Sequence, residues 1–350
     1  MVSRRRVRRR LAGALVSAAL LVGVVTFEAP LSIADPPVDS GSNEEAPPSV
    51  DPVHPLYATV RDVQPITDRW LTVSVASPAM GRTVDVQVLL PEHRDAPRPT
   101  VYMLDGRSAA VEVNNWTDKG GAGQFFADKP VNVVFTLGGP ASYYTDWLHA
   151  DPKLGTNRWE TFLTRELPPL IDARFEGNGV NAVSGVSMGA EAAMMLATRN
   201  PGLYRAVAAH SGCYAMSSEF GQAQARAVVG TFGGDPDNMF GPSDDPQWAA
   251  HDVVSHAGAL RGDAIYLSSG SGLPGEHDVT GNPDLRQAIL FGGPIEAGAS
   301  MCTAQLAARL AQLGIPATVN MRPTGTHSWP YWADELPRSW PTLAAGLGLG

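Results

Sequence analysis

Hydrophobic and β-branched residues recur along the chain in short runs, which predicts a protein built around a sheet. Eight such runs occur, at residues 69–76, 82–89, 100–104, 131–137, 180–184, 206–210, 264–268 and 317–321. The last six show little alternation between apolar and polar positions, which is typical of strands that are covered on both faces. We therefore expect these six strands to form the centre of the sheet.

Helical patterns separate several of the predicted strands. An apolar stripe runs through residues 159–170, residues 190–198 are rich in Ala, Met and Leu, and residues 302–313 repeat apolar positions until Gly314. Antiparallel strands followed by alternating strands and helices predict an α/β-hydrolase fold. In this fold a central, mostly parallel sheet carries helices on both faces.

The first 55 residues have a different pattern. Six Arg lie within residues 1–10, an uncharged apolar run follows at residues 11–27, and Ser32 and Ala34 place small residues before Asp35. This order predicts a cleaved secretory signal peptide at residues 1–34, with a permanent membrane anchor as the alternative. Residues 35–55 are rich in Pro, Ser and acidic residues and predict a flexible spacer. Residues 56–350 show no second linker and are expected to form one α/β-hydrolase domain.

The charge of the chain limits its partners. The chain of 350 residues carries a formal net charge of −9, with 17% charged and 44% hydrophobic residues. The first 34 residues hold six Arg and one Glu, so the remainder carries −14. A strongly acidic remainder argues against a nucleic-acid partner, and the apolar content argues against a disordered chain.

A serine motif indicates chemistry at the end of a predicted strand. Gly185-Val186-Ser187-Met188-Gly189 follows the strand at 180–184 and precedes the helical pattern that starts at residue 190. A nucleophile elbow needs this context, because small residues must flank a serine in so tight a turn. We therefore predict that Ser187 is a nucleophile. The alternative is a glycine-rich turn without chemistry.

The general base is predicted from its place after the last strand. His327 lies in Thr324-Gly325-Thr326-His327, directly after the run at 317–321, where this fold supplies its histidine. His277 is the one rival. His210 is expected at the end of a core strand, and the other histidines, at 54, 93, 149, 251 and 256, lack a strand-end position.

The sequence leaves the acidic member of the site open. Generic topology favours Glu276 or Asp278, which follow the strand at 264–268, whereas Glu296 lies further along. A metal site at Glu276, His277 and Asp278 is an unfavourable alternative, because adjacent residues converge poorly on one ion. The backbone amides of Arg107 and Met188 are the predicted donors to an oxyanion.

The two cysteines bear on both compartment and structure. Cys213 and Cys302 are an even number in a chain with a predicted export signal, which favours one disulfide. The alternative is a pair of buried thiols. The predicted bridge would fix the segment around Cys302 to the strand end near Cys213.

Several stretches together resemble the secreted mycolyltransferases of mycobacteria and corynebacteria, the antigen 85 family. They occur in the family's order and cover nearly all of residues 56–345; the stretches are 102–106, 115–116, 138–147, 159–168, the elbow at 185–189, 239–248 and 325–332. The resemblance implies a Ser187, Glu296 and His327 triad, because the family's Glu precedes its His by about thirty residues. The resemblance also supports the disulfide between Cys213 and Cys302, because this bridge would stabilise the turn that carries Glu296.

The resemblance further implies a substrate site and a reaction. Asp105 matches an acid that contacts trehalose hydroxyls, Trp329 matches an aromatic residue of the sugar site, and the oxyanion amides match Arg107 and Met188. One departure is that this chain reads Asp-Gly-Arg-Ser where the mycobacterial pattern reads Asp-Gly-Leu-Arg, which puts sugar contacts from the Arg107 side chain in doubt.

The implied activity is secreted acyl transfer from trehalose monomycolate to a second such molecule or to cell-wall arabinan (arabinogalactan), with neither cofactor nor metal. A secreted carboxylesterase with the same triad and a cell-surface adhesion protein are the alternatives. An intact set of Ser187, Glu296 and His327 argues against an adhesion protein that has lost catalysis.

Overall fold

One nine-stranded sheet with an antiparallel part and a parallel part organises the protein. The computed structural model describes residues 57–350, with strands β1 (Thr59–Pro65), β2 (Trp70–Ser77), β3 (Arg82–Leu89), β4 (Arg98–Leu104), β5 (Asn132–Thr136), β6 (Gly177–Val186), β7 (Tyr204–His210), β8 (Ala264–Ser269) and β9 (Thr318–Met321). The strand order is β1-β2-β3-β5-β4-β6-β7-β8-β9. The pairs from β1 to β5 are antiparallel, and those from β5 through β4 to β9 are parallel.

Helices connect the strands of the parallel part. In the described residues they are α1 (Asn115–Asp118), α2 (Ala122–Phe125), α3 (Trp159–Thr161), α4 (Leu167–Phe175), α5 (Met188–Arg199), α6 (Glu219–Thr231), α7 (Asp237–Phe240), α8 (Pro246–Ala250), α9 (Val253–His256), α10 (Leu285–Gln287), α11 (Gly293–Gln312) and α12 (Trp329–Gly346). A π-helical turn at Phe162–Glu166 joins α3 to α4, and another at Ala288–Gly292 joins α10 to α11. A 3₁₀ turn at Ala257–Leu260 follows α9.

Two hydrophobic cores lie against the sheet because successive side chains of a strand point to opposite faces. In β4, Tyr102 and Leu104 belong to one core, and Val101 and Met103 belong to the other. The first core also takes in side chains of α5 and α11, whereas the second takes in those of α12. Full burial of each such apolar side chain stabilises the fold by about 1.5–3 kcal/mol. The mostly parallel sheet with helices on both faces agrees with the predicted fold class.

Two strands and the last helix are among the elements that differ from the sequence expectations. The run at 317–321 was expected in the centre of the sheet, but β9 is an edge strand in which only Asn320 is partly buried. The pattern does not predict β1, because its residues are mostly polar and exposed. Nor does it predict α12, which continues through Pro337 and Pro341 although proline usually ends a helix.

The predicted signal peptide at residues 1–34 and spacer at residues 35–55 lie outside the described residues. Among the helices of residues 57–350, none combines the length and the apolar character that a bilayer crossing requires.

The carboxyl ends of the central parallel strands all lie at the same edge of the sheet, where α/β folds bind their ligands. Asp105 follows β4, Ser187 follows β6, Ser211 follows β7, and Gly270 follows β8. The candidate site is therefore built from loops that a rigid sheet holds in place.

Candidate active site

Ser187 occupies a strained turn between β6 and α5. Its backbone angles are φ 54° and ψ −123°, a conformation that few residues other than glycine adopt. The turn is fixed by a hydrogen bond of 2.8 Å from the amide of Ser187 to the carbonyl of His210 in β7. The strain lifts the Ser187 side chain out of the sheet, as the predicted nucleophile elbow requires.

The two flanking glycines are required by contacts with backbone atoms. A Cβ at Gly185 would lie 2.0 Å from the carbonyl oxygen of Gly189, and a Cβ at Gly189 would lie 2.3 Å from that of Asp105. Neither obstacle is a flexible side chain, so larger residues would force the turn apart. Gly185 is therefore required by the turn itself, and Gly189 is required by the close approach of the loop after β4.

The structure brings His327 to Ser187. Its Nε2 lies 2.9 Å from Ser187 Oγ, across 140 residues of chain. The loop after β9 is held by the amide of His327, which donates to the carbonyl of Gly292 at 3.1 Å, and the ring packs edge-on against Trp332 at 4.8 Å between centroids. A backbone bond and a ring contact thus fix the imidazole.

Glu296 completes the hydrogen-bonded chain. Its Oε2 lies 2.7 Å from His327 Nδ1, and the side chain is fully buried in the first turn of α11. A carboxylate at Nδ1 requires a proton there, which leaves Nε2 free to accept the proton of Ser187. The distances therefore assign donor and acceptor roles to the two ring nitrogens.

The other acidic candidates lie elsewhere. Asp278 accepts hydrogen bonds from Thr326 Oγ1 at 2.8 Å and from Tyr331 Oη at 2.7 Å, so it braces the loop that carries His327. Glu276 is exposed. The topological expectation of Glu276 or Asp278 as partner of His327 does not match this geometry.

His277, the rival base, also lies away from Ser187. Its Nε2 is 2.7 Å from Asp334 Oδ2. Within residues 57–350, Glu276, His277 and Asp334 form the one group whose spacing could suit a metal ion, with ligand atoms within 4.8 Å of one another. This group differs from the one considered in the sequence, because Asp334 of α12 takes the place of Asp278.

Three donors around Glu296 were not predicted. Its Oε1 accepts hydrogen bonds from Ser211 Oγ at 2.7 Å, from Ser269 Oγ at 3.0 Å and from the amide of Gly270 at 2.5 Å. Ser211 also accepts from Trp332 Nε1 at 3.0 Å. A buried carboxylate needs such donors to offset its lost hydration. Their positions at strand ends could have indicated them in the sequence, because Ser211 follows β7 and Gly270 follows β8.

The predicted oxyanion donors lie beside the nucleophile. Met188 is the first residue of α5, a helix of 12 residues whose N-terminus favours negative charge. The loop after β4 approaches the same turn, because a Cβ at Gly106 would lie 3.9 Å from that of Ser187. Arg107 comes next in that loop, and its side chain is exposed.

The predicted sugar-binding residues have different surroundings. Asp105 is buried, and its carboxylate accepts hydrogen bonds from the amide of Gly106 at 2.7 Å and from the amide and side chain of Asn115 at 2.8 Å. Burial raises the pKa of Asp105, while these hydrogen bonds oppose the rise. Its carboxylate therefore holds the loop after β4. Trp329 packs edge-on between Trp116 and Trp332 and is partly exposed.

Comparison with known proteins places this geometry in a family. Residues 77–343 match the family model described as putative esterase. The chain is 32% identical to the diacylglycerol acyltransferase/mycolyltransferase Ag85A of Mycobacterium leprae over 284 residues, which covers 79% of this chain and 83% of that protein. Ag85B of Mycobacterium avium is also 32% identical, with the same coverage. The chain belongs to the antigen 85 family of esterase-like acyltransferases.

Solved structures agree with this membership. MPT51 (FbpC1) of Mycobacterium tuberculosis superimposes with a TM-score of 0.66 at 25% identity, covering 77% of this chain and 96% of that one. An S-formylglutathione hydrolase from Agrobacterium tumefaciens gives a TM-score of 0.62 at 17% identity, covering 83% and 99%. At that identity the second likeness shows the fold alone, and this fold is the α/β-hydrolase fold predicted from the sequence.

In this member of the antigen 85 family, a disulfide joins the helix of Glu296 to the sheet. Cys213, just after β7, is bonded to Cys302 of α11, as predicted, and the bond closes a separation of 89 residues. A bridge over so long a loop typically stabilises a fold by about 2–5 kcal/mol. It also fixes α11 two turns beyond Glu296.

Glu191 connects α5, the helix that follows Ser187, to the same disulfide. It lies one turn after Ser187 in α5, fully buried, and its Oε1 accepts from the amide of Cys213 at 2.9 Å and from Gln224 Nε2 at 2.5 Å. Burial raises the pKa of Glu191 to about 8, although these hydrogen bonds lower it in part. The carboxyl group is therefore protonated at neutral pH. The sequence analysis did not identify this residue.

Proposed function

We propose that this protein is a secreted acyltransferase that moves a mycolyl group from trehalose monomycolate to a second trehalose monomycolate or to cell-wall arabinan. The observation that carries the proposal is the chain of hydrogen bonds from Ser187 through His327 to Glu296 in a member of the antigen 85 family. Other glycolipid acyl esters fit the same chemistry as donors or acceptors. No cofactor enters this reaction.

The first half of the reaction forms an acyl-enzyme. His327 Nε2 accepts the proton of Ser187 Oγ as the oxygen attacks the ester carbonyl, and Glu296 stabilises the imidazolium without taking a proton. The imidazolium then donates that proton to the departing trehalose oxygen. The amides of Arg107 and Met188 are our proposed donors to the oxyanion, and the loss of one such donor typically costs about 3 kcal/mol.

The second half of the reaction selects the product. A sugar hydroxyl gives its proton to His327 as its oxygen attacks the acyl-enzyme carbonyl. The imidazolium then returns this proton to Ser187 Oγ as the bond from the acyl group to Ser187 breaks, which completes a ping-pong cycle. The proposed sugar site includes Trp329, whose partly exposed ring lies beside Trp332, itself in contact with His327. Asp105, which matches an acid that contacts trehalose hydroxyls, stays in the proposal as a residue of the sugar site, and its carboxylate is held by Asn115 and Gly106 in the loop after β4.

The second candidate is a secreted carboxylesterase with the same triad. The match to the putative esterase model favours it, since hydrolysis differs from transfer only in the acceptor. Water would then attack the acyl-enzyme in place of the sugar hydroxyl. A surface adhesion protein without catalysis is the weaker alternative, because three residues from distant parts of the chain are held in hydrogen-bond contact.

The proposed location is the cell envelope or the medium, after cleavage of a signal peptide at residues 1–34. Residues 35–55 would form the spacer before the domain at 56–350. The disulfide between Cys213 and Cys302 supports export, because such bonds persist mainly in oxidising compartments.

The test is to incubate the domain from residue 56 with trehalose monomycolate and to resolve the lipid products, with a Ser187→Ala variant alongside. Trehalose dimycolate formed only by the protein with Ser187 supports transfer. Free mycolic acid without dimycolate means that water is the acceptor. The protein would then be a carboxylesterase and not an acyltransferase. Products unchanged in Ser187→Ala would contradict the triad.

A further inference from the structure

Charges alternate along a path from the candidate active site into the last helix. His327 contacts Glu296, and Arg322 Nη2 lies 3.7 Å from Glu296 Oε1. On its other side, Arg322 Nη1 lies 2.8 Å from Glu335 Oε1 of α12, which Arg338 Nη1 contacts at 2.9 Å. One guanidinium group thus lies between the carboxylate of the triad and a second buried carboxylate.

The fold fixes Arg322 in this place. It follows β9 directly, and its amide donates to the carbonyl of Ser269 at 2.9 Å, at the end of β8. Its guanidinium lies over the ring of Tyr331 at 5.4 Å, and only 10% of the side chain is exposed. Because Ser269 also donates to Glu296, one strand end aligns both groups.

Glu335 holds the guanidinium from the far side. Burial alone would raise the pKa of Glu335, but hydrogen bonds from Tyr266 and Asn320, together with the ion pair with Arg322, lower it to about 2. The neighbouring His210 is fully buried, which lowers its pKa to about 4 and leaves it neutral. The carboxylates that face Arg322 are Glu296 and Glu335. Tyr331 lies over its plane, neutral His210 is nearby, and Tyr266, Glu276 and Arg338 line the same cavity as Arg322.

Arg322 acts on Glu296 through its charge and not through a directed hydrogen bond. A separation of 3.7 Å exceeds hydrogen-bond distance, and the three donors already described occupy Glu296 Oε1. Among the described residues, no acceptor meets the guanidinium N–H groups in good hydrogen-bond geometry. Because the carboxylate of Glu296 is fully buried and only 10% of the Arg322 side chain is exposed, this positive charge stabilises the carboxylate more than an exposed charge would.

We propose that Arg322 is a positioning residue for the reaction, whose charge holds the carboxylate of Glu296 aimed at His327 while the imidazole carries the proton of Ser187. The proton moves from Ser187 Oγ to His327 Nε2 and on to the leaving oxygen, so none passes to Glu296 or Arg322. Glu335 is the anchor that keeps the guanidinium in place. This inference rests on the proposed role of the triad, but not on the identity of the acyl acceptor.

The experiment compares Arg322→Gln with Arg338→Gln, a matched variant. Each removes one positive charge from Glu335, but only Arg322 also faces Glu296. The readouts are kcat and KM for hydrolysis of a p-nitrophenyl ester between pH 5 and 9, and the rate at which a fluorophosphonate labels Ser187. Neither readout requires trehalose or mycolate.

We expect Arg322→Gln to lower kcat by about 10- to 100-fold with little change in KM, and Arg338→Gln to stay within about 2-fold. The acid limb of the Arg322→Gln profile should move to higher pH by roughly half a unit to one unit, because loss of a nearby positive charge favours the protonated forms of the site. Arg322→Lys, which keeps the charge, should recover most of the rate.

Equal losses in Arg322→Gln and Arg338→Gln with an unmoved acid limb would overturn the proposal, as would a rate for Arg322→Gln within 2-fold of the wild type. If Arg322→Gln fails to fold, Arg322→Lys decides, because a rate no better than one-hundredth of the wild type in a folded protein would reject a role for the charge. Ser187→Ala, measured alongside, separates the two proposals. Ester turnover that persists in Ser187→Ala contradicts the proposed triad, whereas ester turnover without transfer to trehalose contradicts only the proposed acceptor.

Discussion

The turn of Ser187 and the surroundings of Glu296 belong to one site, but they are built from the chain in different ways. The turn is built from five consecutive residues, and its requirements are visible as glycines at 185 and 189. Glu296 instead takes its hydrogen bonds from Ser211, Ser269, Gly270 and His327, which lie at or beyond the ends of three different strands. The proposed nucleophile is thus specified locally, whereas the proposed acid is specified by the assembled sheet.

This difference explains why the two residues were not equally accessible from sequence. A strained turn excludes side chains at fixed neighbouring positions, so it leaves a motif. A buried carboxylate requires donors in space, and nothing fixes the spacing of those donors along the chain. The variants below alter one region and leave the other intact.

Substitution of the acid should give the largest effect. We expect Glu296→Gln to lower kcat by about 10³- to 10⁴-fold, because an amide in this place favours the wrong tautomer of His327. The measurement is ester turnover together with labelling of Ser187 by a fluorophosphonate.

Glu276→Gln is the matched control for Glu296→Gln, since it makes the same change at an exposed carboxylate. It should retain activity within about 2-fold of the wild type. The reverse ranking of the two variants would restore the acid that generic topology suggests.

The disulfide is expected to matter for stability more than for chemistry. Replacement of Cys213 and Cys302 by alanine should lower the free energy of unfolding by about 2–5 kcal/mol, because the bridge constrains the unfolded chain. Denaturant titration of both proteins measures the change, with mild reduction of the wild type as a second route to the open form. Two free thiols in the intact mass of exported protein would contradict the bridge.

The carboxyl group of Glu191 should make stability depend on pH. Its folded pKa of about 8 lies above the ordinary value of 4.5, so the folded state binds the proton more tightly than the unfolded state. Stability should therefore be greatest below about pH 4.5 as far as this group is concerned, decline as the pH rises, and level off above about pH 8.

Glu191→Gln tests this dependence without a change of shape. The variant should become more stable relative to the wild type as the pH rises from 5 to 8, by about 3–4 kcal/mol. Unfolding midpoints of the two proteins at several pH values give the answer. Parallel curves across this range would show that Glu191 does not titrate as described.

Loss of one donor to Glu296 should have the smallest effect. Ser211→Ala removes one of three hydrogen bonds to Oε1 and leaves those of Ser269 and Gly270. We expect kcat to fall by about 10-fold, in line with a contribution of about 1–2 kcal/mol from one hydrogen bond to a charged group. An effect as large as that of Glu296→Gln would show that the donors are not shared in this way.

Much of the fold was predictable because its signals are local. Seven of the eight predicted strands lie where expected, including β3 at Arg82–Leu89. β9 was also predicted, but in the centre of the sheet. Its four residues do not show whether a second strand pairs with its outer edge. The helix α12 was missed because local rules penalise Pro337 and Pro341, whereas its buried face, with Trp332 and Leu336 in the core, stabilises the helix through both prolines.

The sequence by itself predicted the turn of Ser187, the loop position of His327 and, through resemblance to a family, Glu296 as the acid. Each of these depends on a pattern of neighbouring residues or on a spacing of about thirty. Only the tertiary structure decided that Ser211, Ser269 and Gly270 converge on Glu296, that Glu191 bonds to the amide of Cys213, and that Arg322 lies between two buried carboxylates. These contacts join residues far apart in the chain, and their energies exist only where the parallel strands bring the loops to one edge of the sheet.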